Sequence, residues 1–252
     1  MTTGTHRVVA IVQARMGSSR LPGKVLQDLA GRPMLARVIE RMSRAQRLND
    51  VVVATTDQAR DDVIAHLCQE RGWSCFRGSE YDVLDRYYRA ALEFGAQLVV
   101  RVTSDCPLID PEIIDQHVSR MEEGWAEVDF VTNMARQTYP LGLAVEALPI
   151  DVLARMKRMS TTPELCEHVT TLAYAEPDWF RIEHVLHPVD LSHMRWTVDT
   201  KEDLEFVRLI FEHFGHDFFS WQEALAVLAS HPKWMEINRT VSPKVMEVER
   251  AG

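Results

Sequence analysis

The sequence predicts an α/β fold with a mostly parallel sheet flanked by helices. Short apolar runs that suit buried strands recur at 7–13, 51–55 and 97–103. Segments with helical hydrophobic spacing separate them. Strands joined through helix-length connections indicate βαβ units, because parallel neighbours need such crossovers.

"RVVAIVQ" opens the first half, and "PMLARVIERMSRA" follows a loop with Met34, Leu35, Val38, Ile39 and Met42 on one face. Pro33 suits the first helical turn. "VVVAT" is a buried-strand run, and "ARDDVIAHLCQERG" is a helix closed by Gly72. "WSCF" is a short strand, "DVLDRYYRAALEFG" a helix closed by Gly95, and "QLVVRVT" a strand. "DPEIIDQHVSRM" starts a helix with Asp110 as N-cap and Pro111 in first position.

The second half is less regular. "AEVDFVTN", "LGLAVEAL", "FRIEHVL" and "MRWTV" are expected strands, the last two as an antiparallel pair. "TPELCEHVTTLAYA" is expected to form one helix, and "TKEDLEFVRLIFEHF" a strongly amphipathic one. "MKRM", "WF" and "FFSW" read as core or interface, since no basic residues interleave with them for base stacking. The closing "HPKWMEINRTVSPKVMEVERAG" has weak periodicity and suits a dimer arm or a frayed tail.

Composition excludes several classes. The 252 residues carry a net charge of −9, which argues against bulk binding to nucleic acid or anionic membranes. The four scattered cysteines form no CxxC pair and read as reduced thiols. No run has the length of a membrane span or the pattern of a signal peptide, so a cytoplasmic protein is expected.

One local feature runs against the acidic balance. No Asp or Glu precedes Asp28, whereas Arg7, Arg15, Arg20 and Lys24 all fall in that span. "IVQARMGSSRLPGK" therefore places a flexible cationic loop directly after the first strand. Strand, basic Gly-containing loop, then helix is an arrangement that offers backbone N–H groups to an anion. Gly17 permits close approach, Ser18 and Ser19 add hydroxyls, and Arg15, Arg20 and Lys24 can neutralise phosphate oxygens. The loop is not a Walker A motif: "GSSRLPGK" is one residue too long and ends in Val25. The plainer alternative is a solvated basic turn.

With this loop on view, the chain resembles the CMP-sugar-acid cytidylyltransferases, and within them the spore-coat polysaccharide biosynthesis protein F-like subgroup. "AIVQARMGSSRLPGKVL" with "GRPML" carries the resemblance first. "FRGSEYDVLDRYYRA", "VVRVTSDCPLIDPEIID", "DFVTN", "YPLGLAVEAL", "EHVT" and "RWTVDTKEDLEFVR" extend it in order to about Ile210. The resemblance implies a GT-A-like α/β fold and transfer of CMP from CTP to an acidic or phosphorylated sugar-like acceptor. It implies one domain over 1–240, with a nucleotide half at about 7–125, an acceptor half at about 126–215, and a tail at 241–252. A homodimer is compatible with it.

The resemblance also assigns roles. Arg15 and Lys24 would be the catalytic charge contacts on the triphosphate, where departing pyrophosphate gains negative charge. Gln13, Ala14, Gly17, Ser18 and Arg20 would lie along the nucleotide, joined by Ser79, Arg101, Thr103 and Ser104. Asp82, Arg86, Glu146, Glu167 and His168 would face the acceptor. Asp105 and Asp199 would hold Mg²⁺ with the substrate phosphates.

Plainer roles stand beside these. Asp105 suits a local turn bond, Asp199 a helix cap, Arg101 a salt bridge, and Asp82 with Arg86 an i,i+4 pair. Thr200 to Asp203 reads as a capping pattern, and His168 on a helix suits a structural role. Two functions compete with cytidylyl transfer. A glycosyltransferase of the same fold would need a DxD-like motif, and "DCP" lacks the second carboxylate. A non-catalytic nucleotide-binding protein would not need Asp105, Asp199, Arg15 and Lys24 together. The chain also departs from the octulosonate enzymes, reading "SDCP" where they carry a Gly-Asp-Glu-Pro type motif.

Overall fold

A computed structural model describes residues 6–242. Strand β1 (Val8–Gln13) leads through a long loop, with a 3-10 turn at Lys24–Leu26, to α1 (Met34–Met42). β2 (Asp50–Thr56), α2 (Asp62–Arg71), β3 (Ser74–Gly78), α3 (Val83–Glu93), β4 (Leu98–Thr103) and α4 (Pro111–Glu123) continue the alternation. β5 (Phe130–Thr132), β6 (Glu146–Pro149), α5 (Ile150–Met159), α6 (Pro163–Glu167), α7 (Thr171–Ala175) and β7 (Ile182–His184) follow. α8 (Lys201–Phe214), α9 (Trp221–Ser230) and a 3-10 turn at Pro232–Glu236 end the described fold.

The seven strands form one sheet in the order β3-β2-β1-β4-β6-β5-β7. β3, β2, β1 and β4 run parallel; β6 is antiparallel to both β4 and β5, and β7 is parallel to β5. The period-two alternation of β1 separates two cores. Val8, Ala10 and Val12 pack on the side covered by α1, α4 and α8, whereas Val9 and Ile11 pack beneath α3, α5 and α7.

Register positions the site. Gln13 pairs with Thr103, so the loop leaving β1 emerges beside the one leaving β4. The chain turns to opposite sides of β1 to reach β2 and β4, and crevices at such switch points are where open α/β sheets bind ligands. Arg101 on β4 faces Glu146 on β6 in register.

The caps follow the sequence reading at several ends. Asp110 accepts from Glu112 N, Pro111 begins α4, Gly72 closes α2 at φ +67°, and Thr200 with Asp203 forms a reciprocal capping box.

Four expectations are corrected. "MRWTV" is not a strand: Arg195 makes one isolated parallel bridge to Leu141, and the antiparallel strand is β6 instead. "LGLAVEAL" is strand only from Glu146, because residues 133–145 wrap over the site as a loop. "TPELCEHVTTLAYA" splits into α6 and α7, since Val169 adopts φ +54°, a conformation that interrupts a helix and strains a β-branched residue. The final segment is not a frayed arm up to residue 242: Trp234, Met235 and Ile237 pack against the core. The rest of the expected tail, 243–252, lies outside the described residues.

Two helices, α5 and α9, were not predicted. α5 buries Val152, Leu153 and Met156 at helical spacing, a signal present in the sequence but short. α9 begins with a capping box between Ser220 and Glu223.

Candidate active site

The basic loop is folded around its own backbone. Met16 O accepts from Ser18 N at 2.9 Å and Gly23 N at 3.0 Å, and Gly23 supplies the left-handed turn at φ +68°. Met16 N donates to the buried Asp61 at 2.6 Å, tying the loop to the 3-10 turn directly before α2. Asp61 escaped the sequence reading because nothing local distinguishes it from an ordinary residue at a helix start.

Lys24 projects from this loop into the gap between two later segments. Its Nζ donates to Asp105 Oδ2 at 2.8 Å, Asp199 Oδ1 at 2.9 Å and Val198 O at 2.9 Å. The convergence is built by backbone bonds: Val198 N donates to Asp105 O at 2.8 Å, and Thr197 Oγ1 donates to it at 3.1 Å. Arg20 reaches the other oxygen of Asp199 at 2.8 Å, as does Arg195, also at 2.8 Å. Thr103 Oγ1 donates to Asp105 Oδ1 at 2.5 Å.

These neighbours set the charge states. Burial favours a neutral Lys24 amine, but the charges of Asp105 and Asp199 outweigh it and hold its pKa above the usual lysine value. Burial likewise pushes the Asp105 carboxyl up, and the Lys24 charge with hydrogen bonds from Lys24 and Thr103 brings it below the usual range. Both groups are therefore ionised at neutral pH.

Arg15 is differently placed. Its guanidinium stands 3.7 Å from Glu80 and 3.8 Å from Glu167, with 40% of the side chain exposed. These separations exceed hydrogen-bond length, so its donors remain available to a ligand.

Two cavities share this centre. One of about 270 Å³ is lined by Gln13, Ala14, Arg15, Gly17, Ser18, Arg20, Lys24, Arg86, Thr103, Ser104 and Glu167, among others. Gln13 also carries a buried Oε1 that has no hydrogen-bond partner among the described residues. The second, about 310 Å³, is walled by Met134, Leu141, Ala144 and Thr171, with Arg101, Glu146 and Tyr174. Thr103, Asp105, His168 and Asp199 border both.

The predicted site residues thus converge, with some rearranged. Arg101 lies on the second cavity, not with the nucleotide candidates, because its register partner is Glu146. Glu146 is buried and saturated by Arg101, Tyr174 and Thr170, the last at 2.9 Å. Its charge, against the opposing effect of burial, raises the Arg101 pKa; burial and Glu146 together keep Tyr174 protonated. Glu167 lies on the first cavity beside Arg15, not on the second.

Ser79 and Asp82 line neither cavity. Asp82 caps α3, accepting from Asp85 N at 2.7 Å, and its own N–H donates to Ser79 Oγ at 3.0 Å. The expected Asp82–Arg86 pair is replaced by a bond from Arg86 to the Ser79 carbonyl. Glu80, Tyr174 and Arg195 were not anticipated. Arg195 precedes Asp199 by four residues outside any helix, where that spacing carries no signal.

Comparison with known proteins fits this geometry. The pattern defining the cytidylyltransferase family matches residues 9–220. The chain is 30% identical to the spore coat polysaccharide biosynthesis protein SpsF of Bacillus subtilis over 215 residues, covering 82% of this chain and 88% of that one. It is 33% identical over 240 residues to an uncharacterised protein of Methanocaldococcus jannaschii, covering 94% and 97%. A solved cytidylyltransferase from Leptospira borgpetersenii superposes with a TM-score of 0.90 at 30% identity, covering 94% of this chain and all of that one. The chain belongs to the cytidylyltransferase family, in its SpsF-like group, and is a CTP-dependent nucleotidyltransferase.

Proposed function

We propose that the chain transfers CMP from CTP to a small acidic or phosphorylated sugar-like acceptor and releases pyrophosphate, in surface polysaccharide or related biosynthesis. The observation that carries this reading is the pair of adjoining cavities with Asp105 and Asp199 on their common border. In it the triphosphate occupies the loop cavity and the acceptor the second one. An acceptor oxygen attacks the α-phosphorus, the bond from that phosphorus to the bridging oxygen breaks, and the acceptor proton passes to solvent.

Gln13, Ala14, Gly17, Ser18, Arg20, Thr103 and Ser104 would line the nucleotide. Arg15 would meet charge growing on the leaving pyrophosphate, and Lys24, bonded to Asp105, Asp199 and the Val198 carbonyl without ligand, would turn to it once a bound cation took its place between the two carboxylates. Arg101, held by Glu146, would face the acceptor, and His168 would stand where the two substrates meet. Arg86 and Glu167 would border the nucleotide side.

Asp105 and Asp199 converge on the Lys24 ammonium, and as a hard oxygen donor pair they would hold a divalent ion such as Mg²⁺ where that ammonium gives way to it. Among the described residues no cluster of three or more metal-ligating side chains occurs, so substrate phosphate and water would complete the shell. A bound ion there supplies charge neutralisation on the phosphates. No described helix is long and apolar enough to cross a membrane, which is compatible with action in the cytoplasm on diffusible substrates. Neither a nucleic-acid nor a membrane partner belongs to this reading; a homodimer is compatible with it.

Thermal-shift measurements with CTP, UTP, ATP and GTP plus Mg²⁺ test the donor, because stabilisation follows occupancy. CTP should give the largest shift, and incubation with sugar acids and sugar phosphates should release pyrophosphate. Steady formation of a nucleoside diphosphate from a nucleotide sugar would establish a glycosyltransferase instead.

A further inference from the structure

The position of Asp199 is not set by the sheet. It follows an extended segment outside the sheet whose backbone is tied to the Asp105 carbonyl through Val198 N, and the direction of its carboxylate toward Lys24 is held separately. Asp203, fully buried, provides the first part of that hold. It accepts from Asp199 N at 2.9 Å and Thr200 N at 3.0 Å, and from Arg195 Nε at 2.8 Å and a terminal nitrogen at 2.9 Å. Arg195 then passes a bond to Asp199 Oδ2 at 2.8 Å, leaving Oδ1 for Lys24.

The helix start does not require all of this. A capping box is complete with Thr200, Asp203 and their backbone groups. The Arg195 fork is an addition, and it is itself braced from the far end of the chain. Asn238, 4% exposed, donates through Nδ2 to Asp203 Oδ1 at 3.0 Å and to the Arg195 carbonyl at 3.0 Å. Both neighbours are acceptors, so the amide nitrogen must face them; a carboxylate at 238 would repel Asp203. Trp234, Met235 and Ile237 anchor the segment that delivers Asn238. This segment lies beyond residues 9–220, where the family pattern ends.

We infer that Asn238 is a positioning residue for the reaction. Through Asp203 and Arg195 it fixes the Asp199 carboxylate toward Lys24 and Asp105, so a C-terminal segment outside the family pattern completes the site. The inference rests on the proposed role of Asp199 at the cation position. Outer-shell partners of this kind typically change metal affinity by about 10–100-fold when lost.

The test uses the full chain as wild type, Asn238→Ala, Asn238→Asp and Asp199→Asn. Acylation of Lys24 by an amine-reactive ester, read by peptide mass spectrometry without metal or nucleotide, reports whether Asp199 still covers the ammonium. Mn²⁺ titration with saturating CTP, read by electron paramagnetic resonance, reports the cation position.

Both Asn238 variants, compared while folded, should label Lys24 faster, toward the Asp199→Asn rate, and bind Mn²⁺ about tenfold more weakly. Wild-type labelling and Mn²⁺ affinity in folded Asn238 variants would overturn the inference. Failure of both variants to fold would also overturn it, making Asn238 a structural residue. If wild type and Asp199→Asn bind Mn²⁺ alike, the metal reading of Asp199 falls, and Lys24 labelling alone decides the positioning role.

Discussion

Asp105 and Asp199 share a single ammonium: Lys24 Nζ stands 2.8 Å from one carboxylate and 2.9 Å from the other. The loop that reads as an anion site in the sequence thus turns two of its cations, Lys24 and Arg20, onto the protein's own acids. Arg15, with only long ion pairs, is left turned toward the cavity.

Arg15→Ala should slow turnover by about 100-fold, the loss of one donor to developing charge. Its side chain is substantially exposed, so unfolding free energy should change by less than about 0.5 kcal/mol. Steady-state kinetics beside denaturant unfolding check both; an equal loss of stability and rate would show a structural cation.

Lys24→Ala should leave Asp105 and Asp199 facing one another without the ammonium they share, with Arg20 and Arg195 still on the other oxygen of Asp199. We expect a loss of roughly 2 kcal/mol, below the 3–5 kcal/mol of a fully buried pair because the site is partly open. Added Mg²⁺ should restore more of the melting temperature in this variant than it adds to wild type. A variant blind to Mg²⁺ would refute the two-carboxylate cation site.

Asp105→Asn and Asp199→Asn should each abolish divalent-ion-dependent turnover while CTP still binds through the loop. Calorimetric titration of CTP without metal provides the control. Full turnover in either variant would remove that carboxylate from the mechanism.

Gly142→Ala should destabilise the fold by about 3 kcal/mol. Gly142 has φ +117°, and an added Cβ would sit 2.6 Å from Thr197 N and from the Trp196 carbonyl carbon. Backbone cannot yield as a flexible side chain does, and this strand-like crossing is what carries Thr197 and Val198 to Asp105. Chemical denaturation measures the loss; a neutral substitution would show that the crossing can separate without cost.

His117 predicts an acid-sensitive limb of stability. It is fully buried, its Nδ1 donates to the Ile113 carbonyl at 2.7 Å, and its Nε2 has no hydrogen-bond partner among the described residues. Burial, opposed by the Ile113 bond and the charge of Glu146, lowers its pKa from 6.5 to about 4. The unfolded chain therefore takes up this proton first. Stability is complete above pH 6.5 and falls as pH drops toward 4, by about 3 kcal/mol in all. His117→Gln should flatten the unfolding free energy across that window. An unchanged slope would assign the acid limb to other groups.

The parallel half was legible because its signals are local. Buried-strand runs, the caps at Asp110 and Thr200, and the glycine end of α2 each act within a few residues. The helix at 162–175 was misread for the opposite reason. Its residues suit a helix, yet Val169 is turned to a positive φ between Glu167, which lines the first cavity, and Thr170, which lines the second. Tertiary packing there outweighs helical preference.

By itself the sequence determined the βα alternation, the cationic loop after β1, and the residue types that could meet phosphate. Periodicity and composition carry that much, since they act along the chain. The tertiary structure alone decided which cation faces which acid. Lys24 meets Asp105 and Asp199 because Val198 N bonds to the Asp105 carbonyl, and Arg101 goes to the second cavity because β6 runs antiparallel beside β4. Asp61, Arg195 and Asn238 hold the site from positions distant along the chain or outside regular structure, where spacing has no meaning until the chain has folded.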